Sequence, residues 1–530
     1  MLVSSGFAFP FEHGALKDTY PLFMISPIEL ILMGGFIFLG FWLFRNGRKA
    51  RAGKRLLAFL GFGVGLAALF VLFQSSNPPR STQKRNRQMG NFLASNPMPQ
   101  KDASDFTSNL PIIVLESLGG YLSKEDLTLF NASFYHADGQ RTSLSSTPQH
   151  SGLISAKLRG YSTLRLPKNS LTIHTLDSHT NQTKVSLFGL PADEDWVLQA
   201  PFEDKTLIRD ALAFDLTRQM GRYAPRTRHV ELFIKRRKGA VTMRDYQGIY
   251  VLIEKIKRGK ERVDIAKLTP SHKAEPDITG GYIFKRDHQD RPENRFQTRH
   301  GGPYFFVTPK SHLVTPAQRT WLNNYMNSFE NSLYGPEFAD PEKGYAGFLD
   351  TDAFIDAHWL IEFSKNVDGF RYSSFLTKDR NGKLKTEPPW DWNRSFGNAD
   401  YYDGWKENGW YWPKLRSREI SWYRRLREDP HFAKKAADRW VELRSKVFSP
   451  QNVHATIDRL TAPLQEAQKR NFERWPVLWV PITCNYFVGD TYEEEIQWLK
   501  SWVEKRIRWM DKQVAVERSQ PTPPPQQEEN

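Results

Sequence analysis

Two aspartates stand out for the chemistry they offer. In the stretch NVDGFRYSSFLTKDRNGKLKTEPPWDWNRSFGNADY, which begins at Asn366, Asp368 and Asp391 lie 23 residues apart. RYSSFLTK and KLKTEPPW read as two strands, and the turn Asp379–Gly382 carries an Asn-Gly pair that favours a tight hairpin. A hairpin returns its ends to neighbouring positions. Asp368 follows a helix that ends near Asn366, and Asp391 sits where the second strand ends, so the two are expected to face one pocket. Phosphoryl transfer uses such a pair: one carboxylate orients or deprotonates the attacking hydroxyl, and the other holds the magnesium that bridges the phosphates. Spacing alone leaves a plainer alternative open, in which Asp368 caps a helix and Asp391 is a buried hydrogen-bond acceptor.

Other chemistries find less support. The 13 histidines show no HExxH spacing, there is no Walker A loop, and RGYSTL (159–164) is not a GxSxG elbow. The single cysteine, Cys484, excludes a disulfide framework and a cysteine-rich zinc site. Six tryptophans fall between Trp390 and Trp422, and they suit either a flat ligand or a core and its rim. The net charge is +15, but ten Lys or Arg and no acid fall between Arg45 and Arg87, which leaves about +5 for the rest of the chain. The basic excess is therefore local to one segment, and no nucleic-acid-binding motif accompanies it.

The elements that must position the aspartates alternate in type. LPIIVLES (110–117) reads as a buried strand, SLTIHTL (170–176) as a strand, and VELFIKRR with YQGIYVLIEKI (246–256) as two strands of an antiparallel sheet. Asp204–Met220, Asp352–Lys365 and Thr491–Gln513 have helical spacing, the last opened by a capping box of Thr491 and Glu494. Strands dominate to about residue 340 and helices after it, which suggests an α+β domain of two lobes with a cleft, spanning 106–514.

Ahead of it lie two apolar runs, Leu30–Phe44 and Leu56–Phe73, read as two transmembrane helices of an anchor over 1–75. Six basic residues between Arg45 and Arg55 are expected to keep the connecting loop cytoplasmic and the large domain outside the cytoplasm, against a smaller cluster at Arg80–Arg87. A polar linker (76–105) and a disordered tail (515–530) complete the layout.

The stretch around the two aspartates resembles the CotH family, the spore coat protein H-like atypical protein kinases. Further matching blocks follow in order: LRGYSTLRLPKNSLTI (158–173), WVLQAPFEDKTLIRDALAFDL (196–216), YAPRTRHVELFI (223–234), YQGIYVLIEKI (246–256) and GGYIFKRD (280–287). The resemblance implies a distant kinase-like fold working with ATP and Mg2+. It implies that Asp368 is the catalytic aspartate and Asp391 the metal-binding one. Many members carry a second acid two residues on; this chain has Asn393, which offers magnesium a carbonyl oxygen without charge. A kinase also needs a cation on the phosphates and an acid to hold that cation. Lys168 and Glu254 are the candidates for those roles, and Arg209 reaches either a phosphate or a core carboxylate. The expected function is membrane-anchored, ATP- and Mg-dependent phosphoryl transfer to a protein Ser or Thr hydroxyl. Two alternatives remain: a non-catalytic envelope or coat assembly protein on the same fold, or AMP transfer at the same site.

Overall fold

The computed structural model describes residues 96–519, apart from 138, 288–291, 416–421 and 483. The described residues belong to a single unit of the chain, which begins at Met89. Both apolar runs, and the anchor expected from them, lie outside the described residues. Among the described residues no helix is long and apolar enough to cross a membrane. Two expected boundaries differ. Met98 and Ala103 are already buried, so the end of the expected linker packs into the domain. The last helix runs on to Ser519, five residues into the expected tail.

Seven strands form a closed barrel: β1 (Ile112–Ser117), β2 (Thr128–Tyr135), β3 (His150–Arg159), β4 (Ser170–Leu176), β5 (Asp195–Gln199), β6 (Thr227–Lys235) and β7 (Tyr246–Glu254). Their order is β1-β2-β3-β4-β5-β7-β6, and a parallel β1–β6 pairing closes the ring while every other pairing is antiparallel. In β2, TLFNASFY alternates buried and outward residues, as expected of a strand with one covered face. Phe130, Phe134, Ile154, Ile173, Trp196 and Leu252 meet inside to form the barrel core. β7 is buried on nearly every residue because other elements cover its outer face. One of them is the helix Ala467–Arg474, and Gly248 is shaped by that approach. It has φ +83, and a Cβ there would lie 2.6 Å from Asn471 Oδ1.

A second antiparallel sheet contains β8 (Tyr282–Arg286), β9 (Arg295–Phe296), β10 (Tyr304–Thr308), β11 (Ser374–Lys378) and β12 (Leu384–Lys385), in the order β9-β10-β8-β11-β12. β11 and β12 are the expected hairpin, paired Thr377↔Lys385 and Lys378↔Leu384, with Asn381 at φ +54 in its turn. The helices among the described residues are α1 (Arg209–Gln219), α2 (Pro316–Tyr334), α3 (Thr351–Ser364), α4 (Trp422–Leu426), α5 (Pro430–Ser445), α6 (Pro450–Thr461), α7 (Ala467–Arg474) and α8 (Tyr492–Ser519). They share a second, larger core. The molecule is thus mixed α+β with two principal cores, the first strand-built and the second mainly helical.

Two helices matter most for the site. α1 is wedged between the cores: Phe214 packs on Val197, Val251 and Ile253 of the barrel, while Leu212, Ala213 and Leu216 join the helical core. α3 begins at Asp350, whose carboxylate accepts the Ala353 amide, and ends at Lys365 in the left-handed conformation. Its Glu362 and Arg506 of α8 form a fully buried pair, and the same carboxylate accepts the Tyr411 and Trp412 amides. The satisfied pair pins α3 to α8, so the loop leaving α3 starts from a fixed point.

Candidate active site

That loop carries Asp368. Its carbonyl accepts the Arg371 and Tyr372 amides at 2.8 and 2.7 Å, forming a tight turn. Its side chain is held at both oxygens: Arg371 Nη2 donates to Oδ1 and Tyr401 Oη donates to Oδ2, each at 3.0 Å. Asp391 lies six residues beyond the short strand β12, with φ +69. Ser373, five residues after Asp368, donates its hydroxyl to Asp391 Oδ2 at 3.1 Å. Burial, and next the charge of Asp368, push the Asp391 carboxyl up to about 6. The two aspartates that the sequence pairs by spacing therefore lie within electrostatic reach of one another.

Further charged groups surround them, and sequence reasoning did not single them out. Asp287, at the end of β8, also acts on Asp391. Asp210, in the first turn of α1, accepts the Trp392 amide at 2.6 Å, and burial followed by Asp391 pushes it up to about 7. Arg159, the last residue of β3, lies 5.0 Å over the Trp390 ring. Burial draws its guanidinium down to about 10, against the pull of Asp391, Asp287 and Asp210. Arg394 donates to both oxygens of Glu203, at 3.1 and 3.3 Å, and lies 3.5 Å from the hydroxyls of Ser162 and Tyr401. Burial is the largest single effect and opposes its charge, but Glu203, Tyr401 and Cys484 together raise it above the ordinary arginine value. Arg159 and Ser162 flank Gly160 and Tyr161 in a quoted block, and Arg394 follows Asn393. Their proximity to the motifs was the available signal.

The remaining candidates are placed differently. Asn393 donates its side-chain amide to Glu203 at 3.3 Å, which leaves its carbonyl oxygen for a metal. Lys168 and Glu254 are not joined. The buried Lys168 ammonium donates to the Ile249 carbonyl at 2.6 Å and to Asn471 Oδ1 at 2.8 Å, and burial holds it well below the ordinary lysine value. Glu254 pairs instead with Arg226 and Arg262, at 2.7 and 2.8 Å. The expected lysine–glutamate pair is thus replaced by two separate buried networks. Arg209 takes the core role: it pairs with Asp204 at 2.5 Å, and its Nε donates to the Ser395 carbonyl. Of the six tryptophans, Trp392 and Trp422 are core residues, and Trp390 stacks on Phe214.

The donors around Asp391 are oxygens, which suits a hard divalent cation. Asp391 and Asp210, recessed carboxyls pushed up by burial and by neighbouring carboxylates, are in the situation that a cation relieves. These acids do not form a closed cage. Among the described residues the tight acidic triad is Asp193, Glu194 and Asp195, and Lys257 bridges all three members. An open set of one or two carboxylates fits magnesium whose other ligands are water and phosphate oxygens. Beside Ser373 and Trp390 lies a cavity of about 50 Å³, room for roughly three waters and too small for a nucleotide base.

None of the curated proteins compared with the chain matches it. The family model described as CotH kinase protein matches residues 156–510, a span that takes in both aspartates and both arginines, and the chain belongs to the CotH kinase protein family.

Proposed function

We propose that this protein transfers the γ-phosphoryl group of ATP to a Ser or Thr hydroxyl of a protein, with magnesium, from a membrane-anchored domain outside the cytoplasm. The observation that carries the reading is the meeting of Asp368 and Asp391 near the β11–β12 hairpin, with arginines beside them. Asp368 is the group for the acceptor. Its two oxygens are oriented by Arg371 and Tyr401, which leaves a fixed carboxylate edge to receive the hydroxyl proton or aim the oxygen. Asp391 would hold the metal, aided by Asn393 through its carbonyl oxygen. Bound there, magnesium would neutralise charge on the phosphates. Arg159 and Arg394 supply the fixed positive charge for the phosphates, the task the sequence reading gave to Lys168. Positioning and charge stabilisation are most of what phosphoryl transfer asks of a protein.

The test is transfer of label from ATP to a Ser-rich acceptor protein by the full chain with magnesium, beside its Asp368→Asn variant. Transfer by the wild type and its loss in the variant support the reading. Equal transfer by both makes Asp368 structural. Nucleotide binding without transfer to any acceptor favours the assembly-protein alternative, and label that moves only from the adenosine side of ATP favours AMP transfer.

A further inference from the structure

We infer that Asp210 is a positioning residue that sets the geometry of Asp391, an inference that rests on the reading of Asp391 as the metal-side aspartate. Asp391 has φ +69, a conformation that few residues other than glycine adopt unless their surroundings hold them there. The peptide that follows it is gripped from both sides. Its carbonyl accepts Asn366 Nδ2 at 3.3 Å, from the loop after α3. Its amide, that of Trp392, donates to Asp210 Oδ1 at 2.6 Å, from the first turn of α1. Fixing that peptide plane fixes where the Asp391 side chain leaves the backbone.

The grip is itself rigid. Asp210 is 8% exposed on a helix wedged between two cores. Its neighbour Arg209 donates to the Ser395 carbonyl, so two consecutive residues of α1 hold two points of the 391–395 turn. The Trp392 ring is pinned separately, donating its Nε1 to Ser364 Oγ at 2.9 Å, so the amide contact is not a by-product of ring packing. The acceptor at 210 reaches Asp391 through the backbone, as an outer group reaches a metal through its ligand.

Two measurements on the full chain test this, with Mn2+ as the probe. The first is amide hydrogen exchange at Trp392 without metal; the second is Mn2+ affinity. Asp210→Ala removes the acceptor, and Asp210→Asn keeps an acceptor oxygen but no charge. Asp210→Ser, polar but too short to reach the amide, replaces the Ala variant should that one not fold. The expected result for Ala or Ser is faster exchange at Trp392 by about tenfold or more, with α5 and α8 unchanged, and Mn2+ affinity weakened about 10–100-fold. Asp210→Asn is expected to stay within about fivefold of the wild type in both readouts. Wild-type exchange at Trp392 in the Ala or Ser variant overturns the inference. So does an Asn variant that loses Mn2+ as fully as Ala while its Trp392 amide stays protected, since Asp210 would then act by its charge. If the wild type binds no Mn2+, the metal reading of Asp391 fails, and the exchange result alone still decides whether Asp210 sets that turn.

Discussion

Replacing Asp391 by Asn is expected to stabilise the metal-free protein while destroying the proposed metal site. Burial first, then Asp368, lift the Asp391 carboxyl from 3.8 to about 6. In the unfolded chain it returns to the ordinary value. Between those values the folded state holds more protons than the unfolded state, so stability falls as pH rises through the window and stays lower above it. At about 1.4 kcal/mol per tenfold, the loss is about 3 kcal/mol by pH of about 8. Asn has no ionisation to lose, keeps an acceptor for Ser373, and tolerates a positive φ better than most residues. The variant should therefore gain up to about 3 kcal/mol over wild type near pH 8, and little near pH 4. For a domain of this size that is roughly 3 °C in melting temperature. Thermal melts of both proteins in chelator, at the two pH values, provide the measurement. Excess magnesium with ATP should then raise the wild-type melting temperature and leave the variant unmoved. A variant no more stable than wild type near pH 8 would refute the account of Asp391 as a strained, proton-holding carboxylate.

Three further outcomes are expected. Asp368→Asn should lower the rate of transfer about 100- to 10,000-fold with little change in ATP affinity, as single-turnover and binding measurements together would reveal. Gly248→Ala should destabilise the domain by about 3 kcal/mol or more in denaturant melts. The new Cβ meets Asn471 Oδ1, which accepts both the Ile249 amide and the Lys168 ammonium, and φ there is +83. A reporter that works only in the cytoplasm, fused after Asn530, should be silent, because the basic loop Arg45–Arg55 is expected to stay inside; an active reporter would reverse the proposed orientation.

What the sequence makes legible is local. The Asn-Gly turn, the strands beside it and the spacing of Asp368 from Asp391 are matters of a few dozen residues; the hairpin forms, but its second strand is only Leu384–Lys385 and ends six residues before Asp391, because the prolines at 388 and 389 cannot donate to a ladder. Strand β4 shows its two-residue period locally, and β6 and β7 are legible as apolar runs. What escapes is whatever the tertiary fold delivers from a distance. Arg159 lies 232 residues before Asp391, and Glu203 reaches Asn393 across 190 residues. No periodicity connects such partners. Asp210 is harder still, because an acid in the first turn of a helix has an ordinary explanation in the helix dipole, and nothing in the sequence marks the Trp392 amide as its target.

Lys168 and Glu254 show why charge type alone is a poor guide to a phosphate site. A lysine after a turn and a glutamate on a strand fit the roles a kinase needs, yet each finds a structural partner first. The ammonium of Lys168 satisfies the Ile249 carbonyl on β7 and Asn471 on α7, so it ties the barrel to the helix packed upon it. Glu254 neutralises two arginines at the end of the same strand. With both engaged, and with Arg371 already paired to Asp368, the cations left for a phosphate in the proposed reaction are Arg159 and Arg394. Arginine suits that position better. A guanidinium keeps its charge where burial would strip it from an ammonium, and its planar fork can hold Glu203 with one edge while another edge faces an anion. Arg394 spans Glu203, Ser162 and Tyr401 in this way, and Tyr401 passes the contact on to Asp368. A single hydrogen-bonded chain thus runs from the turn after the barrel's third strand to the aspartate proposed to receive the acceptor hydroxyl. In the proposed reaction, a phosphate that engages Arg394 would thereby be coupled to the orientation of Asp368, the group proposed to receive the acceptor hydroxyl.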